Sequence, residues 1–195
     1  SLPETAVSVS ASIAGNNELA VSNVVGSNIF NLMVVIGVCA ILATVNVAGE
    51  TIKRDIPLSL ICAGLLMLLG IIGLGDKTGM TLGHMDGAIF IGLFAGYIFY
   101  MIRIALKANK EGKKVEIEGG NAIGSNIFNI LMVLGIASVI SPISIIRENI
   151  IDLCVLVAFT VCVWIFAGTK KKIGRIEGLC MVALYAVYAV YIVIR

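Results

Sequence analysis

Glu4 is an acidic residue in an otherwise apolar segment of the chain. It follows Pro3, whereas the other eleven acidic residues fall in connecting segments or near the ends of apolar runs. A carboxylate at membrane depth costs about 3 kcal/mol on insertion scales, so it is expected to serve a function. Ser8 and Ser12 follow at four-residue intervals and share a helix face with Glu4. A helix cap at the membrane interface is the alternative role for Glu4.

One polar segment occurs twice. Residues 23–37 and 121–135 are identical at nine of fifteen positions, including an unbroken Gly-Ser-Asn-Ile-Phe-Asn. In each copy a serine and an asparagine four residues apart share a helix face. These pairs are Ser27 with Asn31 and Ser125 with Asn129, and Asn28 and Asn126 are weaker candidates, as is Ser8. Close packing of helices through small residues is the alternative explanation of a single copy, but it explains two matched copies poorly.

These side chains favour a hard cation. Calcium takes six to eight oxygen ligands from carboxylates, carbonyls and amides. The sequence has one histidine, and its five cysteines include no C-x-x-C pair, so neither a softer metal nor a disulfide framework is indicated. The repeated segments therefore predict an oxygen-rich cation site, and no cofactor is expected.

The composition indicates a membrane protein. Of 195 residues, 59% are hydrophobic and 13% are charged, against about 25% charged in soluble domains. Six apolar runs are long enough to cross a bilayer. They cover residues 19–46, 56–75, 85–106, 121–141, 149–168 and 175–194, and residues 1–15 are predicted to be the end of a further helix. The runs do not alternate as barrel strands do, so the predicted fold is all-α and transmembrane. A net charge of +2 and sparse aromatic residues argue against a nucleic-acid partner.

Positive charge predicts the orientation of the spans. The count of charges on each side depends on how many times the chain crosses the membrane between the 103–120 region and the next span. With an even number of crossings (including none), eleven Lys and Arg lie on one side of the membrane and three on the other. An odd number would give seven against seven. Because cytoplasmic loops carry excess Lys and Arg, the even arrangement is favoured and the 107–120 and 169–175 loops are predicted to be cytoplasmic.

This topology makes the two repeats antiparallel across the membrane. The first copy runs toward the charge-rich side and the second runs away from it. Antiparallel repeats are typical of secondary transporters, in which interrupted helices bind ions near the bilayer midplane. The chain is therefore divided into a first inverted repeat (1–106), a charged loop (107–120) and a second inverted repeat (121–195).

The motifs also resemble a known family. SLPE at the start of the chain, followed by GNNELAVSNVVGSNIFN, resembles the first alpha repeat of sodium/calcium exchangers, and GGNAIGSNIFN resembles part of the second. These exchangers belong to the calcium/cation antiporter superfamily. The resemblance implies a ten-helix fold, of which this chain would hold the second (partial), third, fourth, fifth, eighth, ninth and tenth helices. It also implies that Glu4 binds both calcium and sodium, with oxygens from Ser1, Ser27, Asn31, Ser125 and Asn129.

The sequence departs from that family in one segment. A second SLPE-like segment with a partner glutamate should precede Asn121, but the charged stretch with Glu116 and Glu118 runs directly into Gly119. We expect that about two helices are missing between Glu118 and Gly119, and a helix and a half before Ser1. Some relatives carry Asp where Asn129 stands, which bears on stoichiometry and potassium dependence.

The sequence thus predicts a multi-pass protein, with the cell membrane as the expected location, that exchanges calcium for sodium by alternating access. A different acidic motif is usual in proton-coupled exchangers, which favours sodium, but calcium/proton exchange remains an alternative. A passive cation channel and a non-transporting membrane fragment are two others. No nucleophile–base pair or phosphate loop indicates an enzyme, and a monomer is compatible with the sequence.

Overall fold

Six membrane-length helices dominate the fold. The computed structural model describes residues 2–16, 18–72, 80–110 and 120–195. Within them, the helices long and apolar enough to cross a membrane are Glu18–Leu42, Thr51–Ile72, His84–Lys107, Ala122–Ile140, Arg147–Lys170 and Arg175–Ile194, which we number as the first to sixth spans. This confirms the predicted all-α transmembrane fold. The first span ends four residues earlier than expected because Ala43 is extended (φ −146°, ψ 138°).

The described elements follow one another in the order that the apolar runs predict. The α-helices are α1 (Leu2–Ile13), α2 (Glu18–Phe30), α3 (Ile36–Leu42), α4 (Ile56–Ile72), α5 (His84–Lys110), α6 (Gly120–Phe128), α7 (Leu134–Ile140), α8 (Arg147–Lys170) and α9 (Arg175–Ile194). Three π-helical turns, at Asn31–Val35, Thr51–Asp55 and Asn129–Val133, continue into α3, α4 and α7. The short strands are β1 (Val45–Asn46), β2 (Thr81–Leu82), β3 (Ile143–Ser144) and β4 (Lys172–Ile173).

Two antiparallel strand pairs join connections that are distant in sequence. β1 pairs with β4, and β2 pairs with β3. β1 follows the first span and β3 follows the fourth. The end of the second span lies near β3, since a Cβ on Gly70 would lie 3.1 Å from the Ile145 side chain. β1 and β3 are thus at opposite ends of the bundle, and the first and fourth spans are antiparallel, as the inverted repeat predicts.

The two repeated segments form the centre of the bundle. In an apolar 18-residue stretch of each span, 50% of the first and 61% of the fourth is buried, against 6% of the third and 17% of the sixth. Each central helix changes to a π turn at the last asparagine of the repeated motif, Asn31 in one copy and Asn129 in the other. The predicted interruption is therefore a single π turn in each helix. Such turns often mark functional sites.

Glycines allow the outer helices to approach the central ones. A Cβ on Gly87 of α5 would lie 2.5 Å from Ser138 Oγ and 2.7 Å from the Gly135 carbonyl oxygen. A Cβ on Gly178 of α9 would lie 2.6 Å from the Gly37 carbonyl oxygen. Gly37 and Gly135 occupy the same position of the repeat. The third span thus packs against the fourth, and the sixth span packs against the first. Both contacts are made through a glycine and at the same position of the repeat.

Three acidic residues are buried, whereas Glu4 is partly buried, and each of the three has a hydrogen-bond partner. Asp55 accepts hydrogen bonds from Arg54. Asp86 Oδ2 accepts one from the Gly83 amide at the start of α5, whereas Asp86 Oδ1 has no hydrogen-bond partner in the described part of the chain. Asp152 forms a bidentate ion pair with Arg195, at 2.8 and 2.7 Å. These partners offset part of the cost of burying carboxylates near the ends of the spans.

Some sequence predictions fall outside the described residues. They concern Ser1, Glu116, Glu118 and the junction of Glu118 with Gly119. The division of the chain at 107–120, of which residues 111–119 are not described, stays a prediction.

Candidate ion-binding site

Glu4 lies beside the repeated motif of the first span. The Ser27 hydroxyl donates a 3.3 Å hydrogen bond to Glu4 Oε1. Ser27 is about 14 Å along the helix from Glu18, out of about 36 Å for the first span. The carboxylate is therefore held well inside the span and away from both of its ends.

The four motif asparagines form a reciprocal network between the repeats. Asn28 Nδ2 donates to the Asn126 carbonyl oxygen at 3.2 Å, and Asn126 Nδ2 donates to the Asn28 carbonyl oxygen at 3.1 Å. Asn31 Nδ2 donates to Asn126 Oδ1 at 3.3 Å, and Asn129 Nδ2 donates to Asn28 Oδ1 at 3.0 Å. Each bond of one repeat has its counterpart in the other, which is the arrangement expected around a pseudo-two-fold axis.

The network distinguishes two kinds of asparagine. The side chains of Asn28 and Asn126 are fully buried, and both their Oδ1 and Nδ2 atoms are hydrogen-bonded. Asn31 and Asn129 use Nδ2 in the network. Asn129 is also fully buried, and its Oδ1 has no hydrogen-bond partner in the described part of the chain. A buried amide oxygen without a donor is suited to a cation.

A cavity of about 470 Å³ adjoins Glu4. Its wall includes Glu4, Asn23, Ser27 and Asn31, together with apolar atoms of Phe30. Asn129 of the second repeat adjoins this wall through its amide nitrogen, since Nδ2 donates to Ser27 Oγ at 3.1 Å. The cavity wall thus holds one carboxylate together with hydroxyl and amide groups of the first repeat, and the Asn129 amide of the second repeat is hydrogen-bonded to the Ser27 hydroxyl in that wall.

The serine stripe of α1 packs against α2. Ser8 and Ser12 are buried, and Ser8 Oγ accepts a 3.0 Å hydrogen bond from Asn23 Nδ2. The same amide donates to the Glu4 carbonyl oxygen at 3.2 Å. Sequence reasoning missed Asn23, although it opens the repeated segment and lies four residues before Ser27. Its two bonds attach α1 to α2 and so position the Glu4 carboxylate.

The second repeat contributes less than the first in the described residues. No side-chain hydrogen bond joins Ser125 to this set within the part of the chain that the structure describes. Among the same residues, no group of three or more His, Cys, Asp or Glu side chains is placed to hold a metal. Glu4 is therefore the carboxylate around which the described site is built.

The family assignment comes from a comparison with protein-family models. The model described as sodium/calcium exchanger protein matches residues 1–103 and 104–194. This chain belongs to the sodium/calcium exchanger family. Each match contains one copy of the repeated motif, and the boundary between them falls close to the predicted loop. The family consists of transport proteins and is not a class of enzymes.

Curated relatives match about half of the chain. The putative antiporter CaxA of Alkalimonas amylolytica is 40% identical over 102 residues, which are 52% of this chain and 30% of that protein. The sodium/calcium exchanger MaX1 of Methanosarcina acetivorans is 32% identical over 104 residues, 53% of this chain and 28% of that protein. The chain thus aligns with about a third of the length of these relatives.

Solved structures of a sodium-calcium exchanger share the fold. NCX_Mj soaked without Na⁺ and Ca²⁺ has a TM-score of 0.78 and 21% identity, covering 98% of this chain and 82% of that one. NCX_Mj soaked with 2.5 mM Na⁺ and 0.1 mM Ca²⁺ has a TM-score of 0.76 and 22% identity, covering 97% and 81%. These matches support the exchanger fold for nearly the whole chain.

Proposed function

We propose that the protein is a secondary active antiporter that exchanges calcium for sodium across a membrane by alternating access. The observation that carries this proposal is the contact between antiparallel repeats, where Glu4, Ser27 and the Asn129 amide meet. Membership of the sodium/calcium exchanger family supports cation transport, and the ion site supports a hard cation. The names of relatives such as MaX1 agree with sodium as the second ion.

The proposed ligands are the oxygens that the network leaves available. Glu4 supplies the negative charge, Ser27 supplies its hydroxyl, and Asn31 and Asn129 supply Oδ1 atoms. Ser1 and Ser125 are further ligands that the sequence predicts. Calcium requires six to eight oxygens, so backbone carbonyls and water complete the shell. Asn28 and Asn126, with both amide atoms engaged, position the ligands without binding the ion.

The arrangement explains how two ions compete. Sodium and calcium are both hard cations that bind the same oxygens, so occupation by one excludes the other. Each repeat supplies part of the shell of oxygen ligands. Relative movement of the two repeats therefore changes the side of the membrane from which ions reach the site. Ion transport is coupled as exchange if the site reopens to the other side of the membrane much more slowly when it is empty than when an ion is bound.

We also propose that the end of the bundle with β1 and β4 is cytoplasmic. That end holds Lys53, Arg54 and the 169–175 loop, and the excess of Lys and Arg there supports the assignment. A cysteine placed at Lys171 in a cysteine-free variant should react with a membrane-impermeant maleimide only after the cytoplasmic side is opened. Reaction in intact cells would mean that this end of the bundle lies outside the cytoplasm, opposite to the proposed orientation.

The experiment that tests the exchange is calcium uptake into proteoliposomes that contain the full chain. Vesicles loaded with sodium should take up calcium when diluted into sodium-free medium. Glu4→Gln should reduce that uptake at least about 100-fold, because it removes the charged ligand. Glu18→Gln, the same change at an exposed residue of α2, is the matched control and should keep wild-type uptake.

Three other outcomes would contradict the proposal. Uptake that follows a pH gradient and ignores sodium would establish calcium/proton exchange. Calcium flux without counter-movement of another ion would establish a channel. Wild-type calcium uptake by the Glu4→Gln variant would show that Glu4 is not a ligand of the transported ion.

A further inference from the structure

The side chain of Phe30 belongs to the wall of the ion cavity and is held by a residue of another span. Phe30 lines the cavity together with Glu4 and Asn31, and it is 43% exposed, so its ring has space to move. The ring meets that of Tyr185 on α9, with 5.7 Å between the centroids and 79° between the planes. This edge-to-face arrangement is favoured because the positive edge of one ring meets the negative face of the other. The sixth span therefore fixes an apolar group at the wall of a cation cavity.

The contact continues as a series of rings along α9. Tyr185, Tyr188 and Tyr191 follow one another at three-residue intervals, so they lie on one face of the helix. Successive ring centroids are 6.3 and 6.5 Å apart. Tyr188, in the middle, is 6% exposed and also meets the ring of Phe159 on α8 at 6.2 Å. The series is thus packed into the bundle at its centre.

An ion pair holds the far end of this series. The Arg195 guanidinium lies over the Tyr191 ring, 5.5 Å from its centroid, which is the geometry of a cation–π contact. The same guanidinium forms the bidentate ion pair with Asp152 of α8. Arg195 is about 15 Å along the helix from Tyr185. The face of α9 that contacts Phe30 is therefore attached to α8 at the end of the helix away from β4.

The other half of the molecule has a matching ring contact without the series. Phe128 stands where Phe30 does in the repeated motif, and Phe94 and Tyr185 each lie seven residues after the contact glycine of their helix. The rings of Phe94 and Phe128 meet at 5.5 Å and 83°. Within the described ranges, no ring contact continues from Phe94 along α5, and Phe128 is not among the residues that line the ion cavity. The pair of Phe94 and Phe128 is therefore a natural control for the pair at the cavity.

We propose that Tyr185 is a positioning residue that keeps Phe30 against the wall and so holds the ion cavity open. A phenylalanine in a helix has two accessible χ1 rotamers, and the ring contact selects the one seen here. Without that contact, the other rotamer carries the ring into the cavity, where it separates Glu4 from water and cations. The ring and the cation then compete for the same space. The tyrosine series and the Asp152–Arg195 ion pair stabilise Tyr185 in the position that prevents this.

The first test measures access to the cavity with a cysteine reporter in the full chain. Ser22 lies in the cavity wall, so Ser22→Cys in a cysteine-free variant should react with a small cationic methanethiosulfonate reagent. An aromatic contact shifts a conformational equilibrium about fivefold, so Tyr185→Leu should slow this reaction about fivefold. Tyr185→Phe keeps the ring and should react at the original rate. Phe94→Leu, the same kind of change at the matching contact, should also leave the rate unchanged.

Removal of Phe30 separates a positioning role of Tyr185 from a structural one. Once Phe30→Ala has removed the ring, adding Tyr185→Leu should no longer slow the reaction, because nothing is left to enter the cavity. A slow reaction in this double variant, or equal slowing by Tyr185→Leu and Phe94→Leu, would overturn the proposal. Asp152→Asn/Arg195→Gln removes the anchoring pair without leaving a charge unpaired and should slow the reaction about twofold to fivefold. An unchanged rate there would show that the ion pair does not anchor the series.

The second test is calcium uptake, and its interpretation rests on the proposed function. In sodium-loaded proteoliposomes, Tyr185→Leu should raise the KM for calcium about fivefold and keep the maximal rate, because only molecules with an open cavity bind the ion. A lower maximal rate with an unchanged KM would contradict competition between the ring and the ion. Wild-type protein without sodium-driven uptake, but with the expected reporter rates, would overturn the exchange proposal and leave the role of Tyr185 in place.

Discussion

The two repeats share a polar core but differ beside it. The asparagine bonds between Asn28 and Asn126 are reciprocal, and the distances agree to within 0.1 Å. Next to this core, Ser27 contacts the Glu4 carboxylate, whereas Ser125 has no side-chain bond to the site in the described residues. The comparison suggests two roles for the repeated motif. The symmetric atoms hold the repeats together, and the atoms that differ are those that the proposed function assigns to binding the ion.

The strongest test of this division compares Asn129 with Asn31. Asn129→Ala removes a fully buried oxygen without a hydrogen-bond partner and two donated hydrogen bonds, so calcium affinity should fall about 100-fold. Asn31→Ala removes a partly exposed amide with one network bond and should cost about tenfold. Calcium titration of the purified variants measures both. Equal losses of calcium affinity would mean that burial does not make the Asn129 amide a stronger ligand than the Asn31 amide.

The symmetric atoms predict equal losses of stability. Asn28→Ala and Asn126→Ala each remove two side-chain hydrogen bonds, so each should lower the free energy of unfolding by about 1–3 kcal/mol. Because the two residues belong to one network, the double variant should lose less than the sum. Thermal unfolding in detergent checks the prediction. A loss confined to one of the two variants would show that the network is not symmetric in energy.

The glycine contacts extend the comparison to the outer helices. Gly87→Ala and Gly178→Ala place a Cβ within 2.7 Å of a backbone oxygen and should each destabilise the protein by about 1–2 kcal/mol. Gly26→Ala and Gly124→Ala, at matching positions in the motif, meet no atom within 4 Å. They should be neutral or slightly stabilising, since alanine favours helix. Melting temperatures would contradict the packing account if all four variants behaved alike.

The smallest expected effect separates the two serines. Ser27→Ala removes a hydroxyl that donates to Glu4 and accepts from Asn129, and calcium affinity should fall about threefold to tenfold. The geometry of the described residues favours a smaller change for Ser125→Ala. An equal fall would support the sequence prediction that Ser125 is a ligand and would make the second half of the site as important as the first.

Much of the fold was predictable because membrane burial leaves a strong sequence signal. The lengths of the apolar runs located all six described spans, and the Lys and Arg distribution correctly placed the connections around Val45 and Lys172 on one side. The π turns were not predictable from composition, because the sequence around Asn31 and Asn129 is compatible with regular helix. They are visible only once the two central helices are packed against each other.

The candidate site was predictable in type and only partly in detail. Repetition identified Ser27, Asn31 and Asn129, and the cost of a carboxylate at membrane depth identified Glu4. The distinction between Asn28 and Asn129 depends on which amide atoms meet across the repeats, and Asn23 acts through a bond to α1. Such contacts join residues far apart in sequence, so helical spacing within one segment does not reveal them.

The reciprocal pairing of the repeats also sets an order of events during synthesis. Asn28 and Asn126 are 98 residues apart, so the amide groups of the first span have no second-repeat partner until the fourth span is made. At about 5–20 residues per second, that interval lasts about 5–20 seconds. During this time the first half must shelter a polar surface from lipid. The nascent chain is therefore expected to keep water, or a component of the insertion machinery, against the first span until its counterpart arrives.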